Sequence, residues 1–246
     1  MQLHKTKGIV LKTVKYGETS LIATVYTELF GIQSYLVNGV RSSSRKGPGK
    51  ANLFQPAAIL DLLVYHNDLK NLQRIREFTW AVLYVHVLSN ILKNAVALYM
   101  VELLYKTLKQ PEPNPDLFYF IEDSFLHLDS SESRVLANFP LFFTLHLAGF
   151  FGFRIQDTYS ERNAVLDLLE GQFVPDPPHH QQILEGALSH HTAQLLRVQL
   201  PGELAELALN QETRRLLLQA YLTFYTVQIP DFGEMRTLNV LQTILA

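Results

Sequence analysis

The sequence predicts a two-domain α+β chain, with a small β-barrel over residues 1–79 and a mainly helical domain over residues 80–246. Three observations carry this. Short β-branched-rich runs fill the first third, apolar residues switch to helical spacing after Trp80, and the charge divides at the same point. Up to Thr79, eleven Lys or Arg face five acids, a surplus of +6, so the rest of the chain carries −8 to give the net −2.

The strand pattern comes first. Residues 7–14, 21–27 and 32–37 read as strands, separated by Tyr16-Gly17-Glu18 and Leu29-Phe30-Gly31, which read as turns. Residues 57–65 and 72–78 give two more, joined across His66-Asn67-Asp68. Five short strands within this length suit a small closed barrel. A five-stranded OB-like barrel leads, while periodicity alone equally permits an SH3-like one.

Beyond Trp80, Leu92, Val96, Tyr99 and Leu103 fall on one helical face, and that helix must stop before Gln110-Pro111-Glu112-Pro113-Asn114-Pro115. A second helix begins near Asp116, and a third follows the Ser130-Ser131-Glu132-Ser133 cluster of N-cap residues. Pro140 in the third implies a kink or a later start. Residues 154–180, with Pro175, Pro177 and Pro178, read as an irregular excursion. Further helices are expected at 182–191, 203–209, 211–227 and 235–244.

Composition excludes several functions. With 48% hydrophobic residues the chain can build a sizeable core. It has no cysteine, which rules out disulfides, thiolate-held zinc, iron–sulfur clusters and a cysteine nucleophile, and fits a reducing cytoplasm. The amino terminus runs into a charged strand pattern rather than an apolar signal region. Residues 80–105 are interrupted by His86, Asn90, Lys93, Asn94 and Glu102. Residues 139–153 fall short of the roughly 20 apolar residues a membrane span needs. A soluble protein without a membrane partner is therefore expected.

No catalytic constellation is visible. Gly47-Pro48-Gly49-Lys50 lacks the spacing and the following Ser or Thr of a phosphate loop, and a helix directs the neighbours Glu122 and Asp123 to different faces. The adjacent pairs His179-His180 and His190-His191 point their rings apart, with no Cys nearby. The expectation is a protein that is not an enzyme, with no cofactor and no metal.

The strongest functional feature is a basic loop. No acid occurs between Glu28 and Asp61, and within that gap lies Gly39-Val40-Arg41-Ser42-Ser43-Ser44-Arg45-Lys46-Gly47-Pro48-Gly49-Lys50. Uncompensated cations with Ser and Gly between them can hold a phosphate backbone. Arg41, Arg45, Lys46 and Lys50 are the candidate nucleic-acid contacts. Arg74 and Arg76, on one face of the last barrel strand, extend the track or form a plain polar exterior. Tyr16, Tyr26, Tyr35 and Phe54 offer rings for bases, yet each reads more simply as barrel core. The run Phe139, Phe142, Phe143, Phe150, Phe151 and Phe153 reads as helical-domain core before it reads as a peptide groove.

Taken in order, the motifs resemble the RecO family of bacterial recombination mediators. They are Lys7-Gly8-Ile9-Val10-Leu11, Tyr16-Gly17-Glu18, Thr27 with Gly31, Gly39-Val40-Arg41 with the basic loop, and Leu53-Phe54-Gln55-Pro56. They continue with Glu170-Gly171-Gln172-Phe173-Val174, which resembles the family's hairpin at 166–174, and with Tyr225 through Ile229-Pro230-Asp231-Phe232-Gly233 to Leu238 and Leu241. The resemblance covers essentially the whole chain. It implies an amino-terminal OB domain, a helical domain, and a non-enzymatic cytoplasmic role. That role is to bind single- and double-stranded DNA, anneal strands, and with RecR and the single-strand-binding protein help load RecA on gaps. Many relatives hold a four-cysteine zinc site. Here Pro175 and Pro178 stand where one cysteine pair would sit, so the site is not carried over. Two other readings stand beside this one: an OB-barrel scaffold for acidic protein tails, and an RNA-binding accessory factor.

Overall fold

β1 (Gln2–Tyr16) is about twice as long as its pattern predicts, because it serves two neighbours. Its first half pairs antiparallel with β4 (Ile59–His66), from Gln2↔His66 to Ile9↔Ile59. Its second half pairs antiparallel with β2 (Ser20–Thr27), from Gly8↔Thr27 to Tyr16↔Ser20. A register shift between Val10 and Lys12 bends the strand between these duties. The computed structural model describes residues 2–41 and 50–245, with the backbone alone for Lys50.

β2 hands on to β3 (Gly31–Val37), which pairs in parallel with β5 (Leu72–Trp80), and β5 returns antiparallel to β4. The order β1-β2-β3-β5-β4 closes on itself as a five-stranded OB-like barrel. Val10, Val25, Tyr35, Phe54, Leu60, Leu62 and Val64 fill its interior. A 3-10 turn over Lys50–Phe54 brings Phe54 edge-on to Phe78, with ring centroids 4.8 Å apart. At Gly8 a Cβ would stand 2.6 Å from Val25 Cγ1 and 2.8 Å from Leu62 Cδ1, so the packing there leaves room for glycine alone.

The chain divides into two compact units, residues 1–85 with 104–126, and residues 86–103 with 127–246. In the first unit the barrel is fastened to the 104–126 segment by polar contacts. Lys7 Nζ donates to Glu122 Oε1 at 2.7 Å, Tyr26 donates its hydroxyl to the Asn114 carbonyl at 3.2 Å, and Tyr119 donates to Glu28 Oε1 at 2.6 Å. Phe118 packs beside Tyr26 with centroids 6.0 Å apart.

The helices are α1 (Ile91–Thr107), α2 (Pro115–Ser130), α3 (Ser133–Ala148), α4 (Gly186–Arg197), α5 (Gln211–Gln228) and α6 (Thr237–Ile244). α1 starts eleven residues after Trp80, which itself ends β5. Asn90 caps it, its Oδ1 accepting from the Leu92 and Lys93 amides. α3 does not start late: it runs from Ser133 to Ala148 with Pro140 inside it. Thr144 Oγ1 donates to the Pro140 carbonyl, Tyr99 donates to Thr144 Oγ1 at 2.7 Å, and Tyr225 donates to the Thr144 carbonyl at 2.8 Å. These bonds fasten the turn after Pro140 to α1 and α5 through Thr144. Phe139, Phe142 and Phe143 are buried on this helix as core. With the 3-10 turn that follows, the helical run Ser133–Phe151 is long and apolar enough to cross a membrane by length and composition, and 67% of it is buried within the protein.

The excursion at 154–180 holds more order than its prolines suggest. β6 (Val165–Asp167) and β7 (Gln172–Val174) form the hairpin implied by the resemblance, and β8 (Ile183–Leu184) adds a third strand to β6. Helix was expected from residue 182. Instead Ile183 and Leu184 pair with Asp167 and Leu166, and Gly186, at φ +57, turns the chain into α4. The helix expected at 203–209 is a 3-10 turn over Pro201–Glu206, held to α3 by Asn138, whose Nδ2 donates to the Leu204 and Leu207 carbonyls at 3.1 and 2.9 Å.

Candidate nucleic-acid interface

Arg41 sits at the root of the basic loop and is partly committed to the barrel. Its amide donates to the Thr19 carbonyl at 2.9 Å, and its Nη1 donates to the Gly17 carbonyl at 3.1 Å. Across the loop, the Ala51 amide donates to the Val40 carbonyl at 3.1 Å, which closes a neck. The guanidinium therefore ties the loop root to the β1–β2 turn. Arg45, Lys46 and the Lys50 side chain lie outside the described residues.

Arg74 and Arg76 are exposed on β5. Arg74 pairs in register with Leu36 of β3, one residue before that strand ends. Because β3 and β5 run parallel, Arg76 lies farther toward the barrel end that carries the loop neck. Its charge is shared, since its Nε stands 3.3 Å from Glu77 Oε1.

Of the four rings named from sequence, Tyr26, Tyr35 and Phe54 are core. Burial pushes the Tyr26 hydroxyl up to about 12. Tyr16 alone is open, 53% exposed at the β1–β2 turn that Arg41 holds. Two further cations were not singled out from sequence, Lys12 and Lys15, both exposed on the second half of β1. Lys12 Nζ lies 4.9 Å from the centroid of the Tyr105 ring and donates to its hydroxyl at 3.4 Å. The outward residues of β1 carried the signal, but alternation does not reveal which outer face stays uncovered. Lys7, by contrast, is engaged by Glu122.

His180 Nε2 lies 3.3 Å from Asp167 Oδ1, and the rings of His190 and His191 are 6.0 Å apart at 56°. Among the described residues no group of three His, Cys, Asp or Glu is placed to hold a metal ion.

Comparison with known proteins places this geometry. Residues 1–84 match the family model for the amino-terminal part of recombination protein O, and residues 88–234 match the model for its carboxy-terminal part. The chain belongs to the RecO family. Its relatives include the DNA repair protein RecO of Christiangramia forsetii, 30% identical over 99% of this chain and 99% of that protein. The RecO of Bacteroides fragilis is 30% identical over 98% and 99%, and that of Azobacteroides pseudotrichonymphae 27% identical over 98% and 99%. A role in DNA repair follows for this RecO chain, and its two matched parts fit the barrel and the helical region. Between β7 and β8 it carries Pro175-Asp176-Pro177-Pro178 where the resemblance placed a cysteine pair.

Proposed function

We propose that this RecO protein is a non-enzymatic mediator that binds single- and double-stranded DNA and anneals complementary strands. In the cytoplasm it helps RecA load on single-stranded gaps, together with RecR and the single-strand-binding protein. The observation that carries the reading is the OB-like barrel with its +6 surplus, whose acid-free basic loop springs from a neck tied to the β1–β2 turn. Arg41, Arg45, Lys46 and Lys50 supply phosphate contacts, and Arg74 with Arg76 continues them along β5.

The helical unit supports the protein-partner half of this reading. A small cleft there is lined by Leu141, Leu218 and Leu241 and rimmed by Arg214 and Arg215. Apolar walls with cations at the rim fit the acidic tail of a single-strand-binding protein. Arg215 now pairs with Glu212, its Nη2 2.6 Å from Oε1, so an incoming carboxylate competes with that residue.

The test is annealing of complementary strands coated with the cognate single-strand-binding protein, alongside binding of labelled DNA, RNA and an acidic tail peptide. Annealing with salt-dependent DNA binding is expected. Binding confined to the acidic peptide would make the chain a scaffold, and a marked preference for RNA would make it an RNA accessory factor.

A further inference from the structure

We infer that Asn38 is a site of spontaneous deamidation, and that its acidic product weakens the grip of the basic loop on DNA. The second half rests on DNA binding by the chain; the first does not. Among the asparagines of the sequence only Asn38 is followed by glycine. Ring closure on an asparagine needs the next amide nitrogen to reach the side-chain carbonyl carbon, and a side chain on that next residue obstructs the approach. Gly39 has none, and a Cβ built there would meet nothing within 4 Å. The pair is exposed and lies just past Val37, the last residue of β3 in its ladder with β2. Ser20 donates its hydroxyl to Asn38 Oδ1 at 3.3 Å, which draws electrons from the carbon under attack. By contrast Asn67, Asn90, Asn114 and Asn210 are held as turn and helix caps, each followed by a residue with a side chain.

The Gly39 nitrogen, its proton lost to solvent, bonds to Asn38 Cγ, and the Cγ–Nδ2 bond breaks to release ammonia. The succinimide ring so formed then takes up water. Opening at Cγ leaves aspartate. Opening at the main-chain carbonyl leaves isoaspartate, in which the backbone runs through Cβ and Cγ and is one methylene longer. The sum is an amide plus water giving a carboxylate plus ammonium, with no change of oxidation state. Either product puts the first acid into the stretch between Glu28 and Asp61. That carboxylate stands at the loop root, close in sequence to Arg41, whose amide and Nη1 hold the Thr19 and Gly17 carbonyls. There it cancels about one of the loop's positive charges. Isoaspartate adds a second effect, since the extra backbone atom falls between the end of β3 and the Arg41–Thr19 bond that fixes the root.

The experiment ages the full wild-type chain at mildly alkaline pH and samples it over days. Tryptic mapping follows the mass gained on exchanging an amide for an acid in the peptide of residues 16–41. Methylation by an isoaspartate-specific carboxyl methyltransferase reports the isoaspartate fraction. Asn38 is expected to convert first among the asparagines. Each aged sample is then titrated with labelled oligothymidylate across a salt series. Conversion should flatten the log–log salt slope by about 0.7, one phosphate contact, and so lower affinity about fivefold at about 0.1 M salt. Fresh Asn38→Asp should reproduce the change in slope. Asn38→Gln, whose side chain closes only a larger ring, should keep full affinity through the same ageing. An Asn38 that stays an amide while other asparagines convert would overturn the site. Complete conversion with affinity and slope equal to those of fresh protein would overturn the effect on DNA. A fresh wild-type chain that binds no DNA fails at the proposed function instead, and the mass map still decides the site.

Discussion

Gly31 and Glu112 meet backbone to backbone: a Cβ built on Gly31 would lie 2.3 Å from the Glu112 carbonyl oxygen and 2.8 Å from its nitrogen. Gly31 also has φ +61, in the left-handed region. Both facts ask for glycine, one through the backbone angle and the other through the space. The β2–β3 turn thus serves as a seat for the proline-rich stretch between α1 and α2. Gly31→Ala is expected to cost about 2–4 kcal/mol, combining a strained angle with a displaced backbone. At this chain length that lowers the melting temperature by about 5–10 °C. Scanning calorimetry decides it, and an unchanged melting temperature would mean the seat yields freely.

Lys7 and Glu122 give the same junction a charge. The hydrogen bond that Lys7 donates to Glu122 holds its ammonium above the usual value of 10.5, with burial opposing. A base whose folded-state pKa is raised adds stability below its unfolded value and loses it as pH climbs through the folded one. Lys7 keeps 38% of its side-chain surface exposed, so the pair is worth about 1 kcal/mol, near the top of the range for solvated pairs. Urea unfolding of the wild type and of Glu122→Gln should show a constant gap from pH 7 to about 10, closing above the usual lysine value. A gap unchanged at pH 11 would assign the loss to packing around Glu122 rather than to the charge.

Arg41 and the loop beyond it are expected to separate in the salt dependence of single-strand binding. Four phosphate contacts from Arg41, Arg45, Lys46 and Lys50 give a slope of roughly −3. Arg45→Ala with Lys46→Ala should flatten it by about 1.4 without touching the melting temperature. Arg41→Ala should flatten it by no more than about 0.7 and also lower stability, because the Gly17 carbonyl loses its donor. Unchanged affinity and slope in the double variant would remove the loop from the interface.

These contacts also show what can be read from residues alone. The barrel strands were legible because each β-branched run is bounded by turn residues such as Gly17 and Gly31. The doubled length of β1 was not, since pairing with both β2 and β4 is decided by closure of the barrel. The strand at Ile183–Leu184 was missed because so short a run carries no period, and only Asp167 and Leu166 make it a strand. The basic loop stood out through its missing acids. Lys12 and Lys15 did not, because alternation along β1 does not show which outer face stays uncovered.

The discontinuity of the first unit has a consequence during synthesis. Its strands are complete at Trp80, yet its compact set of residues extends to 126. At ribosomal rates of roughly 5–20 residues per second, another 2–10 s passes before that segment has been made. Through that interval Tyr26 waits for the Asn114 carbonyl, Lys7 for Glu122, and the turn at Gly31 for the chain that will cover it. The nascent barrel therefore leaves the ribosome unfinished, and its completion is timed by the translation of the segment after α1 rather than by the closing of its own last strand.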